Sequence, residues 1–90
     1  MFYTYVLQSQ KDRKLYTGVT NNFQRRFNQH NAGEVLSTKR RRPLEMIYYE
    51  ACLNEQDARS REKYLKSGMG KRYLKNRLKR FFSNGVKEAV

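Results

Sequence analysis

Phe2-Tyr3-Thr4-Tyr5-Val6-Leu7, at the head of the chain, is an almost unbroken run of aromatic and β-branched residues, and such a run reads as a strand buried on both faces. A strand of this kind constrains everything after it, because the remaining residues have to cover two sides of it. Ninety residues are available, enough for one small domain that buries ~60% or slightly more of its unfolded surface. One sheet with a few helices fits that size, whereas a large internal cofactor cavity does not, and dinucleotide-binding folds are excluded. Cys52 is the single cysteine, so neither an internal disulfide nor a thiol-built zinc site can staple the fold.

The polar stretch from Gln8 to Lys14 reads as a turn region, and Leu15-Tyr16-Thr17-Gly18-Val19-Thr20 returns as a second strand, giving a β-hairpin with a long loop. Thr20, Asn21 and Asn22 are all suited to cap a helix. Phe23, Phe27 and His30 follow at i, i+4 and i+7, until Asn31-Ala32-Gly33 supplies a stop. Residues 33–43 are polar and end in the basic run Lys39-Arg40-Arg41-Arg42; Pro43 then opens a third strand, Leu44 to Glu50. Asn54 caps a second helix reaching about Ser67, with Ala58, Tyr64 and Leu65 inward, and Gly68 to Gly70 is expected to break it. A third helix is expected from Lys71 to Phe82, with Tyr73, Leu74, Leu78, Phe81 and Phe82 on one stripe. The expected core is Val6, Leu7, Val19, Phe23, Phe27, Ile47, Leu65, Leu74 and Leu78. The domain is expected to span residues 1–83, and residues 84–90, which lack any period, are expected to fray.

Twenty Lys and Arg against eight Asp and Glu give a formal net charge of +12, a field that attracts polyanions, of which nucleic acid is the commonest in cells. An anionic membrane surface and plain solubility are the other readings of such charge. No apolar run approaches the ~20 residues of a membrane span, and the N-terminus lacks the basic lead and long apolar stretch of a signal peptide. A soluble cytoplasmic protein without a membrane partner is the expectation.

Tyr5 and Tyr16 lie on the two arms of the expected hairpin, where both hydroxyls can reach one patch beside the sheet. Arg26 and His30, spaced i, i+4, share the stripe of Phe23 and Phe27. Each has an ordinary reading as well: tyrosine is a good strand former, an arginine on an apolar stripe snorkels, and a histidine at a helix end complements the dipole. Together they are what phosphodiester hydrolysis needs, a guanidinium to neutralise the phosphorane and a phenol or imidazole to manage the proton of water. Such hydrolysis usually also needs a divalent cation held by a carboxylate. Glu62, in the basic context Ser60-Arg61-Glu62-Lys63, is the candidate, its alternative being an i,i+4 ion pair with Lys66.

Tyr3-Thr4-Tyr5, Leu15-Tyr16-Thr17-Gly18-Val19-Thr20, Phe23 to His30 and Arg61-Glu62-Lys63, in that order, resemble the GIY-YIG nuclease family. The likeness extends to its small standalone bacterial members and to the N-terminal nuclease domain of the excision-repair nuclease. It runs from about Phe2 to Phe82. It implies an α+β fold, a small three-stranded antiparallel sheet flanked by about three helices, in agreement with the strands and helices read above. It further implies that one of the phenols of Tyr5 and Tyr16 acts as general base or proton relay, and that Gly18 closes the second motif where a side chain would crowd the backbone. Arg26 steadies the transition-state phosphate, His30 follows one turn later, and Glu62 binds one Mg²⁺ or Mn²⁺. Tyr3-Thr4-Tyr5 departs from Gly-Ile-Tyr and Thr17 stands where isoleucine is usual, but no phenol is lost. Asn76 is the nearest match to an asparagine some members carry; it sits in the basic third helix, outside the expected site.

Lys39, Arg40, Arg41 and Arg42, with Lys71, Arg72 and Lys75 of the third helix, are expected to contact nucleic-acid phosphates without reading sequence. The reading is a metal-dependent DNA endonuclease which, having no separate recognition domain, is expected to be non-specific or to recognise a DNA shape such as a flap, nick or branch, as in repair or recombination. The alternative is a non-catalytic module of the same fold that binds DNA or RNA.

Overall fold

The computed structural model describes residues 1–83; the expectation for residues 84–90 lies outside the described residues. β1 (Phe2–Ser9) is the central strand of a three-stranded sheet, with β2 (Leu15–Thr20) on one side and β3 (Leu44–Cys52) on the other, both antiparallel to it. The central position accounts for the composition of β1: Thr4 to Ser9 are all buried, since each face is covered and both backbone edges are paired. The hairpin turn is tied by the Ser9 hydroxyl, which accepts from the backbone N–H groups of Lys11 and Asp12 and donates to the Arg41 carbonyl at 2.6 Å.

Pairing of β1 with β3 shifts between Val6 and Leu7, from Val6 opposite Tyr48 to Leu7 opposite Met46, so that Ile47 is an extra residue on β3. The bulge places the neighbours Ile47 and Tyr48 against the same cluster, while Met46 faces the other. Tyr5, Leu7 and Leu44 form one cluster, with Tyr16, Phe27 and Met46 against it. Val6, Leu65 and Leu74 form the other, with Leu15, Ile47, Tyr48, Tyr64, Tyr73 and Leu78 packed around them.

Over the first cluster lies α1 (Phe23–Asn31), whose Asn22 cap accepts from the Arg25 N–H. Over the second lie α2 (Glu55–Lys66), capped by Asn54, and α3 (Gly68–Arg77). Ser67 closes one helix and opens the next: its N–H bonds to the Tyr64 carbonyl and its side chain accepts from Gly70 N–H. The glycines at 68 and 70 therefore begin α3 instead of interrupting the chain. A Cβ on Gly70 would lie 2.5 Å from Leu65 Cα, so the glycine lets α3 start directly against the last turn of α2. α3 stops at Arg77, and a further helical turn follows over residues 79–83, which leaves Phe81 exposed instead of on the inward stripe. A single 3₁₀ turn at Lys39–Arg41 lies within the polar stretch that precedes β3.

Four of the nine expected core residues, Val6, Leu7, Leu65 and Leu74, are fully buried. Val19, Phe23, Phe27, Ile47 and Leu78 are only half-buried. They belong to the edge strands and helix flanks of a three-stranded sheet, which is too narrow to enclose its rim. Tyr5, Val35 and Leu44 take the remaining buried apolar positions beside Ala58.

Candidate active site

Tyr5 points to the α1 side of the sheet, opposite Gly18 on β2. An added Cβ on Gly18 would stand 2.5 Å from the Tyr5 hydroxyl and 2.6 Å from its Cζ, so the phenol lies across β2 in the space that the missing side chain leaves. That is the physical requirement for glycine at this position. Continuing past Gly18, the hydroxyl meets His30 Nε2 at 2.9 Å, and His30 Nδ1 meets the Thr38 hydroxyl at 2.7 Å. Thr38 in turn lies 3.5 Å from the Val35 carbonyl. Tyr5 is 1% exposed and His30 and Thr38 are 0% exposed, so these three polar side chains form a closed chain inside the domain.

Burial, followed by the nearby Arg26 charge, lowers the His30 pKa to about 4, which keeps the ring neutral near pH 7. A neutral imidazole carries one N–H and one lone pair, and both are used, one toward Tyr5 and one toward Thr38. Burial raises the Tyr5 pKa above its ordinary value; Arg26 opposes the rise, while Tyr16 and Glu62 add to it. Tyr5 therefore stays protonated near neutrality, and its geometric hydrogen bond is the one to His30.

Tyr16, two residues before Gly18 on β2, stacks edge-on to His30 with ring centroids 5.0 Å apart and lies 6.4 Å from the Tyr5 ring. It is half-buried and lines an open pocket at the β2 edge. It is the phenol of the two that a solvent molecule can reach. Arg26 stands one turn before His30 on α1, half-buried, with Nη1 donating to Gln29 Oε1 at 3.2 Å. Glu62 arrives from α2, which covers the other side of the sheet, yet its charge acts on Tyr5. It is paired with Lys66 Nζ at 3.1 Å. The expected Tyr5, Tyr16, Gly18, Arg26 and His30 are thus gathered around β2 by two strands and α1, while Glu62 stands on α2 with Lys66 as its partner.

Among the described residues no group of three or more His, Cys, Asp and Glu side chains could hold a metal ion. Glu62 offers one carboxylate. A hard cation such as Mg²⁺ keeps several waters and takes phosphate oxygens readily, so a single carboxylate fits such an ion provided the substrate completes its shell.

The expected phosphate-binding run divides. Lys39 and Arg40 are exposed. Arg41 is held in the structure, with Nη2 on the Leu15 carbonyl at 3.4 Å and Nε 3.9 Å from Asp12. Arg42 bonds the Lys39 and Asn31 carbonyls and fills the space over Gly33, whose φ of +79° needs glycine. Lys71, Arg72 and Lys75 are exposed on α3, and Lys71 lines the same pocket as Tyr16. Thr38 is a participant that no sequence pattern marks, one polar residue in a polar loop, whereas the i,i+4 spacing already offers Lys66 as the partner of Glu62.

The sequence model of the GIY-YIG catalytic domain matches residues 1–74, a span that contains all six site residues, and the chain belongs to that nuclease family. It is 41% identical over 88 residues to a UPF0213 protein of Pediococcus acidilactici, covering 94% of this chain and 85% of that one. A UPF0213 protein of Clostridium perfringens is 43% identical over 67 residues, 73% of this chain and 71% of its own. The solution NMR structure of a UPF0213 protein from Bacillus halodurans superposes with a TM-score of 0.51 at 29% identity, covering 82% of each chain. Among the described residues no helix is long and apolar enough to cross a membrane.

Proposed function

We propose that this chain is a divalent-metal-dependent endonuclease that hydrolyses phosphodiester bonds of DNA. The observation that carries the reading is an accessible phenol, Tyr16, packed edge-on against His30 of a buried Tyr5–His30–Thr38 chain, with the Arg26 guanidinium one turn before His30 on α1 and near enough to act on Tyr5 and His30. Tyr16 relays the proton of the attacking water, accepting it at its hydroxyl oxygen as it passes its own hydroxyl proton to solvent. Behind it, His30 meets the ring edge-on and the buried Tyr5 packs beside it at a tilt, excluding solvent so that little reorganises during reaction. Arg26 neutralises charge as it builds on the phosphate. Glu62 would hold the ion, which when bound polarises the phosphoryl oxygens. Lys39 and Arg40, with Lys71, Arg72 and Lys75, supply phosphate contacts that carry no sequence information, which fits recognition of DNA shape, such as a branch or nick of repair or recombination.

The Glu62–Lys66 ion pair favours a second reading, a DNA- or RNA-binding module without cleavage, because the carboxylate already has a cation. Incubation with duplex, single-stranded and branched DNA plus Mg²⁺ or Mn²⁺ separates the two. Cleavage by the wild type should be lost in Glu62→Gln and should fall ~100-fold in Tyr16→Phe, the scale of one proton-transfer group, with affinity unchanged. Tight binding without cleavage of any of these DNAs by the wild type selects the binding module; metal-stimulated cleavage retained by Glu62→Gln removes Glu62 from the site.

A further inference from the structure

The pocket on the far side of Tyr16 from His30 lies between β2 and the corner where α2 meets α3. It is lined by Leu15, Tyr16, Thr17, Leu65, Leu74 and two lysines, Lys66 and Lys71, with a volume of about 260 Å³. Leu65 and Leu74 are fully buried, so the floor is rigid and apolar. Lys66 and Lys71 are its charged lining residues, and the Lys66 ammonium is paired with Glu62 beside it. Two cations converging over an apolar floor suit a tetrahedral anion that is itself tethered to a larger ligand, since Lys presents point charges that adapt to a phosphate.

The Tyr16 ring packs with His30 on the α1 side of the sheet, and the pocket meets the same stretch of β2 on the α2–α3 side, where Leu15 and Leu65 belong. A strand that rounds the edge of β2, which has no further strand beside it among the described residues, passes from Tyr16 to the pocket mouth, so that the phosphate next to the scissile one falls there. Lys66 already reaches toward the site, for its ammonium is 3.1 Å from Glu62. Its side chain is more than half exposed, so the pair is held loosely and the ammonium is free to turn into the pocket.

We propose that this pocket is a phosphate subsite for the nucleic-acid strand, holding the phosphate that adjoins the scissile one, with Lys66 and Lys71 as its two cations. The assignment rests on the reading of Tyr16, Arg26 and Glu62 as a nuclease site. It also gives Lys66 two alternative partners, the Glu62 carboxylate in the free protein and a substrate phosphate in the complex.

The test is the salt dependence of duplex DNA binding, measured without divalent metal so that cleavage plays no part. The full chain is compared with Lys66→Met, Lys71→Met and the double variant, in which the methionines preserve the apolar stems over Leu65 and Leu74. Each lost phosphate contact should reduce the log–log slope by about 0.9. The double variant should therefore lose about 1.8 of slope, so that between 50 mM and 200 mM salt the wild type's affinity falls roughly 12-fold more than the variant's. Arg77→Met removes the same charge as one of these substitutions from an exposed position of α3 that does not line the pocket, and should leave the slope within about 0.3 of the wild type. An unchanged slope in the double variant, or equal losses in Arg77→Met and Lys71→Met, overturns the subsite. A wild type that binds with the expected slopes but cuts no DNA overturns the nuclease and leaves the two-lysine phosphate site standing; one that binds no DNA at all overturns both.

Discussion

His30 is the only histidine in the chain and lies wholly inside it, which makes its titration a direct probe of the Tyr5–His30–Thr38 chain. Burial, then the Arg26 charge, lowers its pKa from 6.5 to about 4. The groups that face it are Tyr5 from β1, Tyr16 from β2, Arg26 from its own helix and Thr38 from the following loop. Between these two pKa values the unfolded chain binds a proton that the folded chain refuses, so folding loses stability as the pH falls. The contribution is fully present above pH 6.5 and disappears progressively toward pH 4. A shift of this size corresponds to about 3 kcal/mol in total, of which roughly 2 kcal/mol is lost between pH 8 and pH 5. For a domain of this length that loss lowers the melting temperature by roughly 8–16 °C. Thermal unfolding of the wild type and of His30→Gln at pH 5.0 to 8.0 measures it, above the range where carboxylates contribute. The wild type should lose stability steeply through this window while His30→Gln, less stable throughout, stays nearly level. Equal slopes for the two proteins, or a single imidazole NMR titration with its midpoint at or above pH 6, would refute the buried neutral ring and with it the closed hydrogen-bonded chain.

Thr38→Val keeps the volume but leaves a buried His30 nitrogen unpaired, which should cost about 1–3 kcal/mol in urea unfolding, whereas Thr38→Ser should restore both stability and the wild-type imidazole ¹⁵N shifts. Gly18→Ala places a methyl in the path of the Tyr5 phenol, with an expected loss of about 1–3 kcal/mol from overpacking and a large fall in cleavage; full stability and activity would show that the phenol does not lie across β2. Tyr5→Phe strands His30 Nε2 as well as removing the hydroxyl, so its chemical denaturation midpoint should drop, unlike that of Tyr16→Phe, whose ring is half-buried. Arg40→Ala should reduce the salt slope of DNA binding by about 0.9 without loss of stability, while Arg41→Ala should also lower the melting temperature, because it releases the Leu15 carbonyl contact and the link to the hairpin turn.

The strands, the cap at Asn54, a cap for α1 within residues 20–22 and the amphipathic helices were legible in the sequence because each depends on neighbours a few positions apart; the structure selects Asn22 for α1. β1 shows this most clearly: an uninterrupted aromatic and β-branched run has no polar face to offer solvent, so its burial on both sides follows from composition alone. The family was legible in the same way, since the types and order of the motif residues along the chain carry the resemblance. The extent of α3 was less legible, since glycines at 68 and 70 weaken a helix locally, and only the close approach to Leu65 and the Ser67 cap turn them into a helix start. What tertiary structure alone decided is the division of labour within the site. Tyr5 and Tyr16 are equivalent as sequence, but the bare Cα of Gly18 admits one phenol to the interior and the edge position of β2 leaves the other within reach of solvent. Thr38 joins His30 from a loop with no period, and Arg41 and Arg42 leave the basic run to brace the hairpin and α1. These outcomes depend on which atoms meet across tens of residues of chain, and no local pattern encodes a meeting of that kind.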